Sequence, residues 1–311
     1  MSSHPFFRDG KRPLVLGHRG VPRDFQENTL AGFRRAVELG IDGVELDVFL
    51  TRDDRVVVFH DEHTERLTGK QGSIRDMSWD QVSRLRVLRD FEMGRSRPYD
   101  AEQPISLLEE VLTELKGKLL INIELKAYSF KFAHRHVGRH VAEIVRRTGC
   151  EDDVVVTSFN PFMLRSLEQE FPGLHSGFAY DPSMVGGAED LLRRLPELGT
   201  ELARERGNQN PLSLVNILSE SHLIGRAARS TVIDMHYRLI DSDTVDKSHA
   251  RDMAVGTYTF FAMDTRTHGQ RPPLSETEEL RAIERLAAHR VDWMETDDPA
   301  RLQELLSCGE P

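Results

Sequence analysis

Residues 14–49 read LVLGHRGVPRDFQENTLAGFRRAVELGIDGVELDVF, and this stretch decides the fold. Leu14–Gly17 is a short apolar run of strand type. Residues 28–39 carry their apolar side chains at helical spacing, and 43–49 return to strand character. The same alternation continues down the chain. Strand-like runs fall at 119–125, 154–158, 175–180, 231–236, 254–260 and 291–296. Between and after them lie helical stretches at 106–115, 131–147, 161–170, 188–206, 243–251, 275–289 and 299–306. Strands alternating with helices imply a parallel sheet. Eight such units over about 250 residues or more predict an α/β protein of the (β/α)8 TIM-barrel class. An open doubly wound sheet is the competing architecture, and the count of units together with the length favours the barrel. The whole chain, 1–311, reads as one barrel domain with its core over about 14–306.

Two stretches exceed a single unit. Residues 56–60, VVVFH, follow the turn dipeptide Asp53–Asp54 and are expected to fold back beside the second strand as a hairpin. Residues 61–103 then form an insertion far longer than the usual βα loop, with a short helix expected at 78–88. A second long insertion, 181–230, follows strand five, with a helix expected at 188–206. Both leave the ends of strands, which places them on the C-terminal face where barrel active sites form. Both read as wall or lid elements with too few apolar residues for cores of their own.

Composition narrows the function. The chain has 41 Lys and Arg against 51 Asp and Glu, a formal charge of −10, so a general nucleic-acid binder is not expected. No apolar run is long enough to span a bilayer, and the N-terminal residues lack the apolar core of a secretory signal. Cys150 and Cys308 make no disulfide framework. A soluble cytoplasmic protein is the expectation. Phe6 and Phe7 are expected to pack on the base of the barrel.

The chemistry gathers at the strand ends. His18 and Arg19 stand where the first strand hands over to its loop. Alone they would pass for a core histidine and a surface ion pair. The second strand carries Glu45 and Asp47 two residues apart, hence on one face. His60 closes the hairpin, and Glu124 and Lys126 repeat the same-face pattern on the third barrel strand. Clustered carboxylates repel one another unless a cation or basic group lies between them. The set therefore suits one hard divalent cation with oxygen ligands, Mg2+ or Ca2+ alike. An internal salt-bridge network is the alternative, and so many ionisable groups are a costly way to pack a barrel. Asn28 is read as the N-cap of the first helix.

Taken together, these residues resemble the glycerophosphodiester phosphodiesterase family. The matching text is His18-Arg19-Gly20, Glu27-Asn28-Thr29, residues 40–48 with Glu45 and Asp47, Thr51-Arg52-Asp53, and residues 57–61 with His60. Later pieces at 123–126, 157–161 and 296–299 are also similar, so the likeness runs from about Leu14 to Leu306. The resemblance implies a (β/α)8 barrel and a metal-dependent hydrolysis of glycerophosphodiesters to an alcohol and glycerol 3-phosphate. By the same resemblance Glu45, Asp47 and Glu124 are the metal ligands, His18 and His60 the general base and acid, and Arg19 and Lys126 the phosphate-binding residues. It further implies that a neighbouring glycerol hydroxyl attacks first and that water then opens a cyclic phosphate. Glu27 is expected to orient Arg19 or its loop.

The chain departs from the family where a Trp-Thr-Val-Asn sequence often ends the seventh strand. Here residues 258–261 are Tyr-Thr-Phe-Phe, so Tyr258 is expected to wall the alcohol pocket with a smaller ring. His236, at the end of the sixth strand, is a second candidate for that pocket. The partner implied is a small molecule, a glycerophosphodiester or a lysolipid. A lysophospholipase D, or another phospholipid phosphodiesterase, is the alternative within the class. A barrel lyase or isomerase using a cation to hold an enolate, and a non-catalytic scaffold, are the alternatives outside it.

Overall fold

The computed structural model describes residues 3–8, 11–91, 97–126, 136–181, 229–263 and 275–307. Among them twelve strands occur in the order β1 (Leu14–Gly17), β2 (Gly43–Leu50), β3 (Val56–Val58), β4 (Arg86–Val87), β5 (Gln103–Pro104), β6 (Ser106–Leu107), β7 (Leu120–Leu125), β8 (Val154–Ser158), β9 (Ser176–Tyr180), β10 (Val232–His236), β11 (Ala254–Phe260) and β12 (Trp293–Thr296). Eight of these pair in parallel in the order β1, β2, β7, β8, β9, β10, β11, β12. The circle closes because β1 pairs with β12 as well as with β2, Leu16 lying opposite both Glu295 and Gly43. A doubly wound sheet would leave two open edges, and here the barrel strands leave none. The architecture is the TIM barrel expected from the alternation.

Helices Leu30–Leu39, Leu108–Leu115, His136–Thr148, Pro161–Glu170, Ser242–His249, Glu276–Ala288 and Pro299–Ser307 surround the sheet. Their starts are fixed by local chemistry. Asn160 accepts from the Phe162 amide just before Pro161 at the first helical position, and Ser275 with Glu278 forms a reciprocal capping box. The first helix is capped by Thr29, whose side chain accepts from Gly32, and not by Asn28. Asn28 instead adopts a left-handed φ of 58° and turns its amide inward.

The base of the barrel is an apolar plug of Leu14, Leu16, Val155, Val232, Ala254 and Trp293. Phe6 is fully buried against it, its ring edge-on to Trp293 at 5.2 Å, as the reading of Phe6 and Phe7 anticipated. The indole needs the empty side of Gly256, where a Cβ would stand 1.9 Å from its Cε2. Above the plug the interior turns polar, with Glu45, Asn122, Thr157, Asp234 and Glu295 all buried.

The hairpin forms as expected, β3 pairing antiparallel with β2 and β6 with β3, and Asp54 takes the left-handed turn conformation at φ 58°. One detail of the 61–103 insertion differs from the sequence reading. The helix expected at 78–88 is one turn, Trp79–Val82, because residues 86–87 leave it to pair as β4 with β5. The insertion also packs into a core that it shares with the hairpin. Leu67, Ile74, Val82, Leu85, Val87, Phe91 and Tyr99 pack with Phe49, Val57 and Phe59, so the outer face of the hairpin supplies the apolar surface that the insertion lacks alone. The 181–230 insertion, with its expected helix at 188–206, lies outside the described residues except at its ends.

Candidate active site

A cavity of about 110 Å3 opens at the C-terminal ends of the barrel strands, and its wall includes His18, Arg19, Glu45, His60, Glu124, Lys126 and Tyr258. Register explains the convergence. Parallel pairing sets Glu45 beside Asn122 and Asp47 beside Glu124, so the period-two pattern of both strands turns all three carboxylates to the barrel interior at successive steps. One oxygen from each of Glu45, Asp47 and Glu124 lies within 4.8 Å of the others.

Each acid is held differently. Glu45 Oε2 accepts from the Arg19 backbone amide at 2.9 Å, while its buried Oε1 has no hydrogen-bond partner among the described residues. Asp47 Oδ2 accepts from the Asn28 amide at 2.7 Å, and the Asp47 N–H donates to Asn28 Oδ1 at 3.1 Å. Lys126 Nζ sits 3.0 Å from both Asp47 and Glu124. Burial, reinforced by Asp47 and Glu295, pushes the Glu45 carboxyl well above its ordinary range, and burial also raises Glu124 against the pull of Lys126. Asp47 goes the other way. Burial would raise it, and Lys126, His60 and Arg19 together hold it below the usual carboxylate range. Two carboxyls driven toward neutrality and one unpartnered buried oxygen are what a hard cation corrects, so these residues fit a divalent ion.

The two histidines are oriented by carboxylates. His18 Nδ1 is 2.7 Å from Asp297 Oδ1, which leaves Nε2 toward the site, 3.9 Å from Glu45. His60 Nδ1 is 2.6 Å from Asp61 Oδ1. Burial, with Arg19 and Lys126 nearby, brings the His60 imidazole down to about 4, so it is neutral near pH 7. Asp61 is gripped in turn by Arg66, which also bonds Glu27 through both of its terminal nitrogens. Glu27 then accepts from Arg19 at 3.1 Å. One chain of ion pairs, half-buried at His60, Asp61 and Arg66 and buried at Glu27 and Arg19, thus links His60 to Arg19, whose Nε lies 3.4 Å from Asp47. Glu27 orients Arg19, as expected from the sequence. Arg19 itself takes a left-handed φ of 56°, and this turn aims both its amide and its guanidinium inward.

The aromatic side of the cavity is Tyr258 and Phe159, their rings edge-on at 6.4 Å. The Tyr258 hydroxyl donates to the Tyr180 carbonyl at 2.8 Å. His236 does not reach the wall. It stacks on Tyr237 and meets Tyr258 edge-on at 5.8 Å, bracing that ring from behind.

The sequence reading passed over Asn122, Asp234, Glu295 and Asp297. A signal for them existed. Asn122-x-Glu124, Asp234-x-His236 and Glu295-x-Asp297 repeat the polar i, i+2 spacing of Glu45-x-Asp47 at four barrel strands.

Imidazoles, carboxylates and a guanidinium converging on the C-terminal mouth of a parallel barrel define the class: a (β/α)8-barrel enzyme. Comparison with known proteins gives the family. The glycerophosphoryl diester phosphodiesterase family matches residues 18–301, and the chain belongs to it. A glycerophosphodiester phosphodiesterase of Caldanaerobacter subterraneus subsp. tengcongensis is 34% identical over 175 residues, 56% of this chain and 69% of that relative. One from Bacillus altitudinis is 35% identical over 162 residues, 51% of this chain and 62% of that relative. Among solved structures, a glycerophosphodiester phosphodiesterase of Agrobacterium tumefaciens superposes with a TM-score of 0.64 at 19% identity, covering 93% of this chain and 99% of that one. An Oleispira antarctica phosphodiesterase, solved with the product sn-glycerol-3-phosphate, superposes with a TM-score of 0.62 at 20% identity, covering 95% and 97%. At these identities the superpositions establish the shared barrel. Among the described residues no helix is long and apolar enough to cross a membrane.

Proposed function

We propose that the chain, acting as a single barrel domain, hydrolyses glycerophosphodiesters to an alcohol and glycerol 3-phosphate with one divalent cation, Mg2+ or Ca2+. The observation that carries this reading is the meeting of Glu45, Asp47 and Glu124 within 4.8 Å, with Glu45 and Glu124 on the same cavity as two carboxylate-oriented histidines and a buried arginine. A phosphodiester is anionic and resists a nucleophile until its charge is offset. Glu45, Asp47 and Glu124 would hold the cation, which supplies that neutralisation and polarises the phosphoryl oxygens. Arg19 and Lys126, both on the cavity wall, add positive charge for the phosphate. His60 enters neutral and able to accept a proton at Nε2, because Nδ1 is committed to Asp61. His18 Nδ1 lies against Asp297 likewise, which turns its Nε2 toward the site. One imidazole can take the proton of the attacking hydroxyl, and the other, when it carries a proton on Nε2, can give it to the leaving alkoxide.

The test is direct. Purified protein is incubated with glycerophosphocholine, glycerophosphoethanolamine and a lysophospholipid, with Mg2+, with Ca2+ or with excess chelator, and released glycerol 3-phosphate is coupled to a dehydrogenase. Cation-dependent release from the glycerophosphodiesters is the expected result. Full turnover in chelator, or release from the lysolipid alone, overturns the reading.

A further inference from the structure

Barrel interiors are normally filled by layers of branched aliphatic side chains. Here a further polar set shares the interior with the three carboxylates: Asn122, Thr157, Asp234, Thr259 and Glu295, with Ala179, line the same cavity. Asp234 and Thr259 are buried, with 3% and 2% of their surface exposed. Asp234 Oδ1 and Thr259 Oγ1 nevertheless have no hydrogen-bond partner among the described residues. The rest of the set is satisfied. Asn122 donates to Glu295 Oε1 at 2.7 Å and to Asp234 Oδ2 at 3.4 Å, Thr157 donates to Asn122 Oδ1 at 3.0 Å, and the Trp293 indole donates to Glu295 at 3.1 Å. Two buried polar atoms of residues on the cavity lining are thus left unmet in an otherwise braced network, where an unmet acceptor is costly.

The chemistry of those atoms selects what they can receive. Arg19 and Lys126 bring positive charge to the cavity while Asp234 and Thr259 bring unmet oxygens, so an anionic phosphate suits the former and a neutral hydrogen-bonding group the latter. A cation beside Asp234 is disfavoured, since the Asn122 amide already directs its hydrogens at both Asp234 and Glu295. Burial also pushes the Asp234 carboxyl upward, Glu295 and Glu124 adding to it, and raises Glu295 to about 7, which lessens their repulsion of a bound substrate.

We propose that Asp234 and Thr259, braced by Asn122 and Glu295, form a hydroxyl-binding subsite that reads the polyol esterified to the phosphate. Resting on the activity proposed above, the inference names the residues that tell a hydroxylated phosphate ester from one without hydroxyls.

Competitive inhibition separates this from general damage to the site. Inhibition constants for glycerol 3-phosphate and for ethyl phosphate, which keeps the phosphate and lacks the hydroxyls, are measured on the cation-loaded enzyme. Wild type is compared with Asp234→Asn, Asp234→Leu and Thr259→Val, with circular dichroism and melting temperature to establish that each is folded. The expected result is a loss of about tenfold for glycerol 3-phosphate in Asp234→Leu and Thr259→Val, the scale of one buried hydrogen bond, with ethyl phosphate within twofold of wild type. Asp234→Asn, which still offers an acceptor, should lose less than Asp234→Leu. Equal losses for both inhibitors, or no loss for either, overturn the subsite while leaving the hydrolase reading intact. A second divalent ion per chain that disappears in Asp234→Asn overturns it in favour of a cation. Wild-type protein that binds neither inhibitor and cleaves no glycerophosphodiester overturns both readings.

Discussion

Asn28 joins backbone conformation to the carboxylate cluster, and substituting it tests that joint. Its side chain makes two bonds to one residue, donating to Asp47 Oδ2 at 2.7 Å and accepting from the Asp47 N–H at 3.1 Å. Both partners are buried. Removing the bond to the carboxylate costs about 1.5–3 kcal/mol, and leaving the Asp47 amide unpaired adds about 1–3 kcal/mol. Asn28 also sits at φ 58°, where alanine is less favourable by about 1 kcal/mol. Asn28→Ala should therefore destabilise the fold by about 3–5 kcal/mol, allowing for partial relaxation. Asn28→Gly accepts the φ and lacks the bonds, so it should recover only about 1 kcal/mol of that loss. Urea unfolding of the three proteins reads these differences. Because the lost bonds orient a carboxylate of the cluster, apparent affinity for Mg2+ or Ca2+, read by calorimetry, should fall about 10–100-fold in both variants. Full recovery of stability and cation affinity in Asn28→Gly would mean that only the backbone conformation matters and would refute the clamp.

Three further outcomes follow from the same geometry. His18→Ala and His60→Ala should each lower kcat by about 100-fold or more with the fold retained, and a steady-state kcat within tenfold of wild type in either variant would remove that histidine from proton transfer. Gly256→Ala would place a Cβ 1.9 Å from the Trp293 ring, so a loss of about 1–3 kcal/mol or more in urea unfolding is expected, and an unchanged midpoint would refute the close packing of the indole. At the barrel base His175 is brought down to about 4 by burial and by the neighbouring His4, its ring 4.8 Å away. The unfolded chain then binds the extra proton first, near pH 6.5, so stability should fall as pH drops from about 6.5 toward 4. His175→Gln should flatten that slope between pH 7 and 5, and parallel slopes would count against it.

The sequence by itself determined the barrel and the first ring of its chemistry. Both rest on periodicity. Apolar runs alternating with helical stretches dictate parallel strands, and the i, i+2 spacing of Glu45 with Asp47 obliges both to face one side whatever the strand's neighbours are. Local rules were weaker where a long-range bond competes with them. Asn28 has the side chain of an N-cap, yet Asp47, 19 residues on, takes both of its polar groups, and Thr29 caps the helix in its place. The 61–103 insertion has too few apolar residues for a core of its own, and the surface that completes one, Phe49, Val57 and Phe59, belongs to the hairpin. Only closure of the barrel decided the rest. Asn122, Asp234 and Glu295 are separated by 112 and 173 residues from their partners, and they share one cavity because parallel strands from opposite sides of the ring place their side chains in a common interior. His236 stands in register with Tyr258 of the adjoining strand and meets its ring edge-on at 5.8 Å. A pattern of period two gives a residue its face, and the register of its neighbours gives it its company.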